Sequence, residues 1–473
     1  MFRHFRLNDP YRFISITFLL VLMRLPFLLT EGWMTRPELY WMLVGDKLSA
    51  GAIMYTEVWT DTGPVAALCY WILDLIFGRS HIVYAIVSMA LVLYQAVVFN
   101  NFLLRLKAYK ENTYVPAMFY VLLTNIFFDM SSLPPALIML TFLLPALRNV
   151  FSHIESRTQR DEVILMIGLY MGLAGLCLLP AVLFIIPVLL AFFTLTGTVL
   201  RRYLMLLIGF TLPFLAASAY YYWMEALPSF YTNFVYSAFN YDNTYYLNFY
   251  SLLIIVAVPG FYLAAAILKT LSTPQFNNFQ TRVQQTMLYF LITAVVVYVI
   301  SNKKSPYQFL PLVPFAAFYL SHYFLLIRRK LVLEIQYILL IVLIVFVNHG
   351  TFFSFSPTSE LIEFQNLLVS ETPYDEIAAG KKVLVLGNEV DVYRVSEAAT
   401  PYLQWNLSRR QLEALEYYDN LIAIRENFLK DMPDIIIDTQ ELAPTLFNKV
   451  PEVGSQYRET GTAGIYARIP ITK

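Results

Sequence analysis

Charge is scarce in this chain. Only 14% of its 473 residues are Asp, Glu, Lys or Arg, against roughly 25% in an ordinary soluble domain. With 58% of residues hydrophobic, that shortfall excludes a water-soluble globule, because so much apolar surface needs lipid rather than a larger core. Net charge is +0, so no bulk basic field recruits nucleic acid. Cysteine is nearly absent. Cys69 and Cys177 both lie in apolar stretches, which excludes a disulfide framework and a cysteine metal spacing.

In place of charge stand long apolar runs. A bilayer-crossing helix needs about 20 mostly apolar residues, and Lys and Arg mark the cytoplasmic loops. The first run, 13–29, follows Arg3, His4, Arg6 and Arg12, so the N-terminus is expected in the cytoplasm. No small-residue cleavage site follows it, so it is expected to remain as an anchor. Residues 31–80 then form an acidic outer loop with Glu31, Glu38, Asp46, Glu57 and Asp61. Within it, 65–77 is apolar but short and carries Asp74. A charge there is costly in lipid, so the stretch is predicted to lie along the membrane surface.

Ten further spans are predicted near 82–104, 114–128, 133–146, 163–176, 179–199, 203–223, 249–268, 287–300, 309–327 and 331–347. Between them, basic turns fall on the cytoplasmic side: Arg105, Lys107 and Lys110; Arg148, Arg157 and Arg160; Arg201 and Arg202; Lys269 and Arg282; Arg328, Arg329 and Lys330. About eleven spans result, an odd number, which places the C-terminus outside. The expected fold is an α-helical polytopic protein of the bacterial inner membrane. Residues 1–350 would form its membrane domain and 351–473 a small extracytoplasmic α/β domain.

That second domain is read from a change in composition near Ser356. The runs 382–387, 433–438 and 464–469 have the length and character of buried strands. Between them 408–430 reads as a helix, with Ser408 as N-cap and Gln411 three positions on, as in a capping box. No Gly-rich phosphate loop, nucleophile elbow or metal cluster occurs there. A binding or bracing domain is expected.

Three outer stretches could carry chemistry. The first runs from Arg36 to Pro64. Glu38 opens a helix, where a carboxylate is favoured by the dipole; the functional reading makes it a general base on an acceptor hydroxyl. Glu57 and Asp61 flank Trp59, so the indole could stack on a sugar while the acids hold its hydroxyls. An ordinary interfacial tryptophan fits equally. The second is 301–308, with Lys303 and Lys304 against the positive-inside bias, suited either to a lipid phosphate or to snorkelling. Tyr307 and Gln308 follow them. The third, 223–248, is rich in Tyr and Asn, among them Tyr236, Asn240, Tyr241, Asn243, Tyr245 and Tyr246. An aromatic belt explains the tyrosines, and the amides suit carbohydrate or headgroup.

Together these features resemble the GT-C superfamily of polyprenyl-phosphate-sugar-dependent glycosyltransferases, to which protein O-mannosyltransferases and the lipid A aminoarabinose transferase belong. The resemblance rests on Glu38, the run LSAG at 48–51, YTEVW at 55–59, Thr62-Gly63-Pro64 before a surface helix, and PYQFLPLVP at 306–314. It extends to VLVLG at 383–387, Tyr393, Tyr402, PDIIID at 433–438 and IYAR at 465–468. Four positions depart from the pattern. Pro37 stands where the first acid of a pair is usual. Thr62 and Gly63 replace the lysine and first proline of a Lys-Pro-Pro turn. Tyr307 or Gln308 replaces a histidine.

The resemblance implies an inverting transfer of sugar from a polyprenyl-phosphate donor to a glycan, lipid or protein acceptor on the outer face. Glu38 would be the catalytic base. Arg36, Glu57, Trp59, Asp61, Lys303, Lys304, Tyr307 and Gln308 would bind substrate. No covalently bound cofactor is implied, and the need for a divalent metal stays open. A non-catalytic relative, binding a lipid-linked glycan or scaffolding an envelope complex with a partner protein, is the alternative. A transporter would show internal repeats and intramembrane charges, and beyond Arg24 and Glu334 there are few.

Overall fold

The computed structural model describes residues 2–7, 9–30, 32–155, 160–239, 243–272 and 276–469. Glu31, Arg157, Asn240 and Tyr241 lie outside the described residues. Eight described helices are long and apolar enough to cross a bilayer: Arg12–Leu29, His81–Arg105, Pro135–Glu155, Leu179–Thr196, Leu200–Trp223, Phe249–Leu271, Asn278–Ile300 and Lys330–Phe352. The other three expected spans are shorter helices. Val115–Leu123 has 9 residues, Asp161–Cys177 has 17 and Val313–Leu325 has 13. Every residue of Val115–Leu123 is buried, so protein surrounds it and bilayer thickness does not set its length. Eight described helices thus meet the length and hydropathy of a crossing, and the eleven spans expected from the apolar runs are not confirmed by that measure.

Small residues let the helices approach closely. A Cβ on Gly168 would lie 2.2 Å from the Leu206 carbonyl oxygen, and one on Gly209 would lie 2.3 Å from that of Leu165. Asp161–Cys177 and Leu200–Trp223 thus pack backbone against backbone, as small-residue seams do in membranes. The helix Pro64–Phe77 has 14 residues and is too short to cross. Its Asp74 accepts a hydrogen bond from Ser49 on the neighbouring helix Arg36–Ser49.

Two sheets occur among the described residues. β1 (Thr244–Tyr245) pairs in parallel with β2 (Lys303–Lys304). The C-terminal region holds β3 (Lys382–Leu386), β4 (Glu397–Ala398), β5 (Ile435–Asp438), β6 (Tyr457–Glu459) and β7 (Ile465–Arg468) in the order β4-β3-β5-β7-β6. β3 runs parallel to β4 and β5, while β7 is antiparallel to β5 and β6.

Strand alternation divides this sheet between two cores. Leu384, Leu386 and Ile436 pack with Ile424, Phe428 and Leu446 in a local cluster. Val383, Val385, Ile435 and Ile437 belong to the apolar cluster continuous with the membrane helices. The helix expected over 408–430 is two helices, Trp405–Leu412 and Tyr418–Lys430. Ser408 is no N-cap: it lies inside the first helix, and its Oγ donates to the Gln404 carbonyl oxygen at 2.9 Å. Gln411 instead accepts from the Tyr402 hydroxyl at 2.8 Å.

Candidate functional site

The three outer stretches meet. Parallel pairing of β1 with β2 aligns Thr244 with Lys303. Asn302 Nδ2 donates to the Ser237 carbonyl oxygen at 2.7 Å. From β2, Lys303 Nζ donates to Asp61 Oδ1 at 2.7 Å. Around this ion pair lies a small cleft of about 70 Å³ whose wall includes Trp41, Asp61, Thr62, Lys303, Tyr307 and Gln308. Tyr307 stands edge-on to Trp41, with ring centres 5.2 Å apart.

Lys304 does not share this cleft. Successive residues of a strand face opposite sides, and Lys304 Nζ turns to the carbonyl oxygens of Tyr298 at 3.1 Å, Val299 at 2.8 Å and Ser301 at 2.6 Å. A lysine so placed closes the C-terminal end of the helix Asn278–Ile300. Its three N–H groups are therefore committed to backbone, and a phosphate role for it is corrected.

Glu38 is also displaced from its expected role. Thr35 caps the helix Arg36–Ser49, accepting from the Glu38 N–H at 3.4 Å, which puts Glu38 in the first turn. Its side chain is fully buried, 2.8 Å from His81 Nδ1, and forms no part of the cleft wall. Trp33 closes over that histidine with ring centres 4.6 Å apart. A general base must reach the proton that it takes, and this carboxylate faces an imidazole instead.

A carboxylate that sequence reading missed lies nearby. Asp129, in the turn Phe128–Ser131, is completely buried. Its Oδ2 accepts from Ser305 Oγ at 2.6 Å and from the Tyr307 N–H at 3.0 Å. Oδ1 is buried with no hydrogen-bond partner. Burial pushes its carboxyl up to about 7, against these two hydrogen bonds and with a contribution from Glu38. Asp129 thus anchors the segment that carries Lys303. Below it Arg24, buried in the first helix, donates to Asn125, Ser88 and the carbonyls of Met130 and Ser131. A lone Asp between two apolar runs was the available signal.

The remaining expected site residues fasten the C-terminal sheet. Arg36 forms a two-pronged pair with Asp391, both contacts at 2.8 Å. Glu57 pairs with Lys430 and accepts from the Ile53 N–H at 2.7 Å. Burial would raise its carboxyl, but these hydrogen bonds bring it below the usual range. Trp59 packs edge-on against Tyr402 with ring centres 5.2 Å apart, its indole N–H donates to the Thr56 carbonyl oxygen at 3.2 Å, and its backbone N–H donates to that of Pro401 at 2.8 Å. An indole so occupied is not a free sugar platform, and that expectation is corrected.

An apolar groove adjoins the cleft. It has a volume of about 600 Å³ and is lined by Met54, Pro64, Val65, Leu68, Leu176 and Tyr221, among others. Thr62 and Gly63 lie on the cleft wall and Pro64 and Val65 on the groove wall. Likewise Leu176 lines the groove, while Cys177 and Leu178 line the cleft. Two short backbone segments, in tight contact at Gly63, therefore wall an oily trough on one side and a polar chamber on the other. No group of three or more His, Cys, Asp or Glu suited to a metal occurs among the described residues.

No family model matches the chain, and no curated protein does either. Among solved structures it is similar to ArnT from Cupriavidus metallidurans bound to undecaprenyl phosphate, at 12% identity and a TM-score of 0.48, over 70% of this chain and 63% of that one. Apo ArnT gives 12% and 0.47, over 69% and 61%. The Archaeoglobus fulgidus oligosaccharyltransferase in complex with Zn and sulfate gives 13% and 0.47, over 97% and 74%. The chain spans less than two thirds of the length of the ArnT structures.

Proposed function

We propose that this chain binds a polyprenyl-phosphate-linked sugar and transfers the sugar to an acceptor on the membrane face that carries the C-terminal sheet. The observation that carries this reading is the adjacency of groove and cleft, which back onto the same two segments at Thr62–Pro64 and Leu176–Leu178. A ligand with an oily tail and a charged head fits such a junction, since the tail gains from apolar burial and the head needs polar partners.

The proposed chemistry uses two side chains. Lys303 offers the charge that a phosphate needs. A phosphate arriving there competes with Asp61 for the ammonium and releases the carboxylate. Asp61 then takes the proton of an acceptor hydroxyl. The hydroxyl oxygen bonds to the anomeric carbon as that carbon's bond to the phosphate oxygen breaks. The electron pair leaves with the polyprenyl phosphate, which Lys303 stabilises. One displacement inverts the anomeric carbon. Asp61 replaces Glu38 as the base because it lines the cleft. A second reading, a non-catalytic relative that holds a lipid-linked glycan for an envelope partner, is favoured by the sequestration of Glu38 on His81.

Native mass spectrometry of the purified chain, with a transfer assay using a labelled lipid-linked sugar, tests both readings. Co-purified lipid phosphate, turnover in the wild type and loss of turnover but not of lipid in Asp61→Asn support the transferase. Lipid bound without wild-type turnover supports the holding role. Absence of any lipid phosphate overturns both.

A further inference from the structure

We infer that Gln404 is a positioning residue for the Asp61–Lys303 pair, through which the C-terminal sheet region aligns the two side chains of the cleft. Its part in turnover rests on the transferase reading; the hold itself does not.

One atom holds both halves of the pair. Gln404 Oε1 accepts from the Asp61 backbone N–H at 3.0 Å and from the Tyr40 hydroxyl at 3.2 Å. Asp61 carries the carboxylate. Tyr40 carries the ring that faces the Lys303 ammonium, 5.1 Å from its centre. An amide oxygen has two lone pairs, and two donors use both. The helix Arg36–Ser49 and the segment 59–61 are therefore fastened at a single oxygen of the C-terminal region.

The neighbours of Gln404 act in the same sense. The Pro401 carbonyl oxygen accepts from the Trp59 backbone N–H at 2.8 Å. Asn406 Nδ2 donates to Thr244 Oγ1 at 2.8 Å, and Thr244 is the register partner of Lys303. The stretch 401–406 thus grips the segment of the acid on one side and the strand beside the lysine on the other.

Local structure does not account for a glutamine at 404. It is the N-cap of Trp405–Leu412, yet its side chain makes no capping bond. Ser, Thr, Asp and Asn serve that position best, because their short side chains accept from the free N–H groups of the first turn. Gln404 forgoes the cap, and its longer side chain reaches a residue 343 positions away in the chain.

The consequence falls in the transfer step. A phosphate that draws Lys303 away leaves Asp61 without its ion pair, while the bond from its N–H to Gln404 stays. Asp61 must then keep within hydrogen-bond reach of the acceptor hydroxyl. A shift of about 1 Å in such a group can cost about a hundredfold in rate. Because Gln404 acts through Asp61, its loss should appear in kcat and not in donor binding.

The test uses the full chain in nanodiscs and two variants. Gln404→Met is similar in length and lacks the oxygen; Gln404→Glu keeps oxygens for both donors. Amide exchange in the peptide that covers Asp61 is measured with and without undecaprenyl phosphate. It is expected to be faster in Gln404→Met than in the wild type, more so with the lipid, and unchanged in Gln404→Glu. Turnover is measured on a radiolabelled undecaprenyl-phosphoryl hexose that the wild type uses. Gln404→Met is expected to lower kcat about a hundredfold, with KM for the donor within about twofold of the wild type. Gln404→Glu is expected to stay within about tenfold. Wild-type kcat in Gln404→Met, equal losses in the two variants, or a rise in KM that matches the fall in kcat overturns the positioning role. Unchanged exchange in Gln404→Met overturns the hold itself. Where the wild type uses no such hexose, the transferase reading fails, and faster exchange in Gln404→Met upholds the hold without it.

Discussion

Lys303 reaches back 242 positions to hold Asp61 at 2.7 Å, and its ammonium lies 5.1 Å from the centre of the Tyr40 ring. Both partners of the ion pair are mostly buried, with side chains 15% and 22% exposed. Removing the cation leaves a carboxylate short of its main partner, which costs about 1–3 kcal/mol. Lys303→Met is therefore expected to lower the melting temperature in detergent. Asp61→Asn should cost less, because the amide oxygen still accepts and Tyr40 still faces the ammonium. If the two changes act through one contact, the double variant melts no lower than Lys303→Met. Additive losses would show that the pair is not a unit.

Glu38→Gln separates structure from mechanism. The amide keeps a hydrogen bond to His81, so folding should be little changed. With the side chain sealed from the cleft, turnover should stay within about threefold of the wild type, below 1 kcal/mol of barrier. A drop of about a thousandfold or more would return Glu38 to the catalytic machinery. Glu38→Leu, by contrast, strips His81 of its carboxylate and is expected to lower the melting temperature.

These assignments show what the sequence could and could not reveal. The long apolar runs were legible because hydropathy and length suffice for a helix such as Phe249–Leu271. The three short helices were not, because an apolar run in protein and one in lipid look alike. Glu38 was legible as a helix-opening acid, but its partner His81 is 43 positions away, and local pattern does not carry such a contact. Lys303 and Lys304 looked like twins. Only their pairing with Thr244 and Tyr245 makes them strand residues, and strand geometry then sends them to opposite sides. Convergence was an expectation only for the acidic stretch and the two lysines, from their shared side of the bilayer; that 243–246 joins them shows only in the pairing of β1 with β2.

Asp129 gives a pH dependence with a definite sign. Its carboxyl sits at about 7 in the fold, and near 3.9 in an unfolded chain. The folded state therefore binds the proton more tightly. Stability from this group is full below about pH 4 and is lost as pH rises through about 7. Asp129→Asn, neutral throughout, should remove that part of the slope. The measurement is the melting temperature of both proteins between about pH 4.5 and about pH 8, where the difference between them should change steadily up to about pH 7. Parallel curves would show that Asp129 does not titrate in this range.

Arg36 and Asp391 clamp the sheet region to the membrane part through two contacts at 2.8 Å. Asp391 is nearly buried, at 4% side-chain exposure, and also accepts from the Ser370 N–H at 3.2 Å and its hydroxyl at 3.0 Å. Lysine cannot reproduce the planar fork of arginine. Arg36→Lys is expected to weaken the clamp by about 1–2 kcal/mol, and limited proteolysis should then cut between 352 and 382 faster than in the wild type. Equal cutting rates would mean that the apolar seam of Val383, Val385, Ile435 and Ile437 holds the region without the clamp.

Gly63 occupies the junction on which the lipid reading depends. Its φ of −67° suits any residue, proline included, so backbone freedom does not explain the glycine. Space does. A Cβ there would lie 2.2 Å from the Leu176 carbonyl oxygen and 2.5 Å from that of Cys177, and neither backbone atom can swing aside. The proline of the motif that this segment resembles would carry that same Cβ, so here the departure follows from how closely 62–64 approaches 176–177. Gly63→Ala should push the two segments apart, at an overpacking cost of about 1–3 kcal/mol. Bound lipid phosphate, read by native mass spectrometry, should fall with the melting temperature. Gly260→Ala is the control, because a Cβ there meets only Val256 Cγ1 at an ordinary 3.5 Å. In that helix interior alanine should be neutral or stabilising by up to about 1 kcal/mol. If Gly63→Ala melts and retains lipid like Gly260→Ala, the close approach of 62–64 to 176–177 does not shape the lipid site.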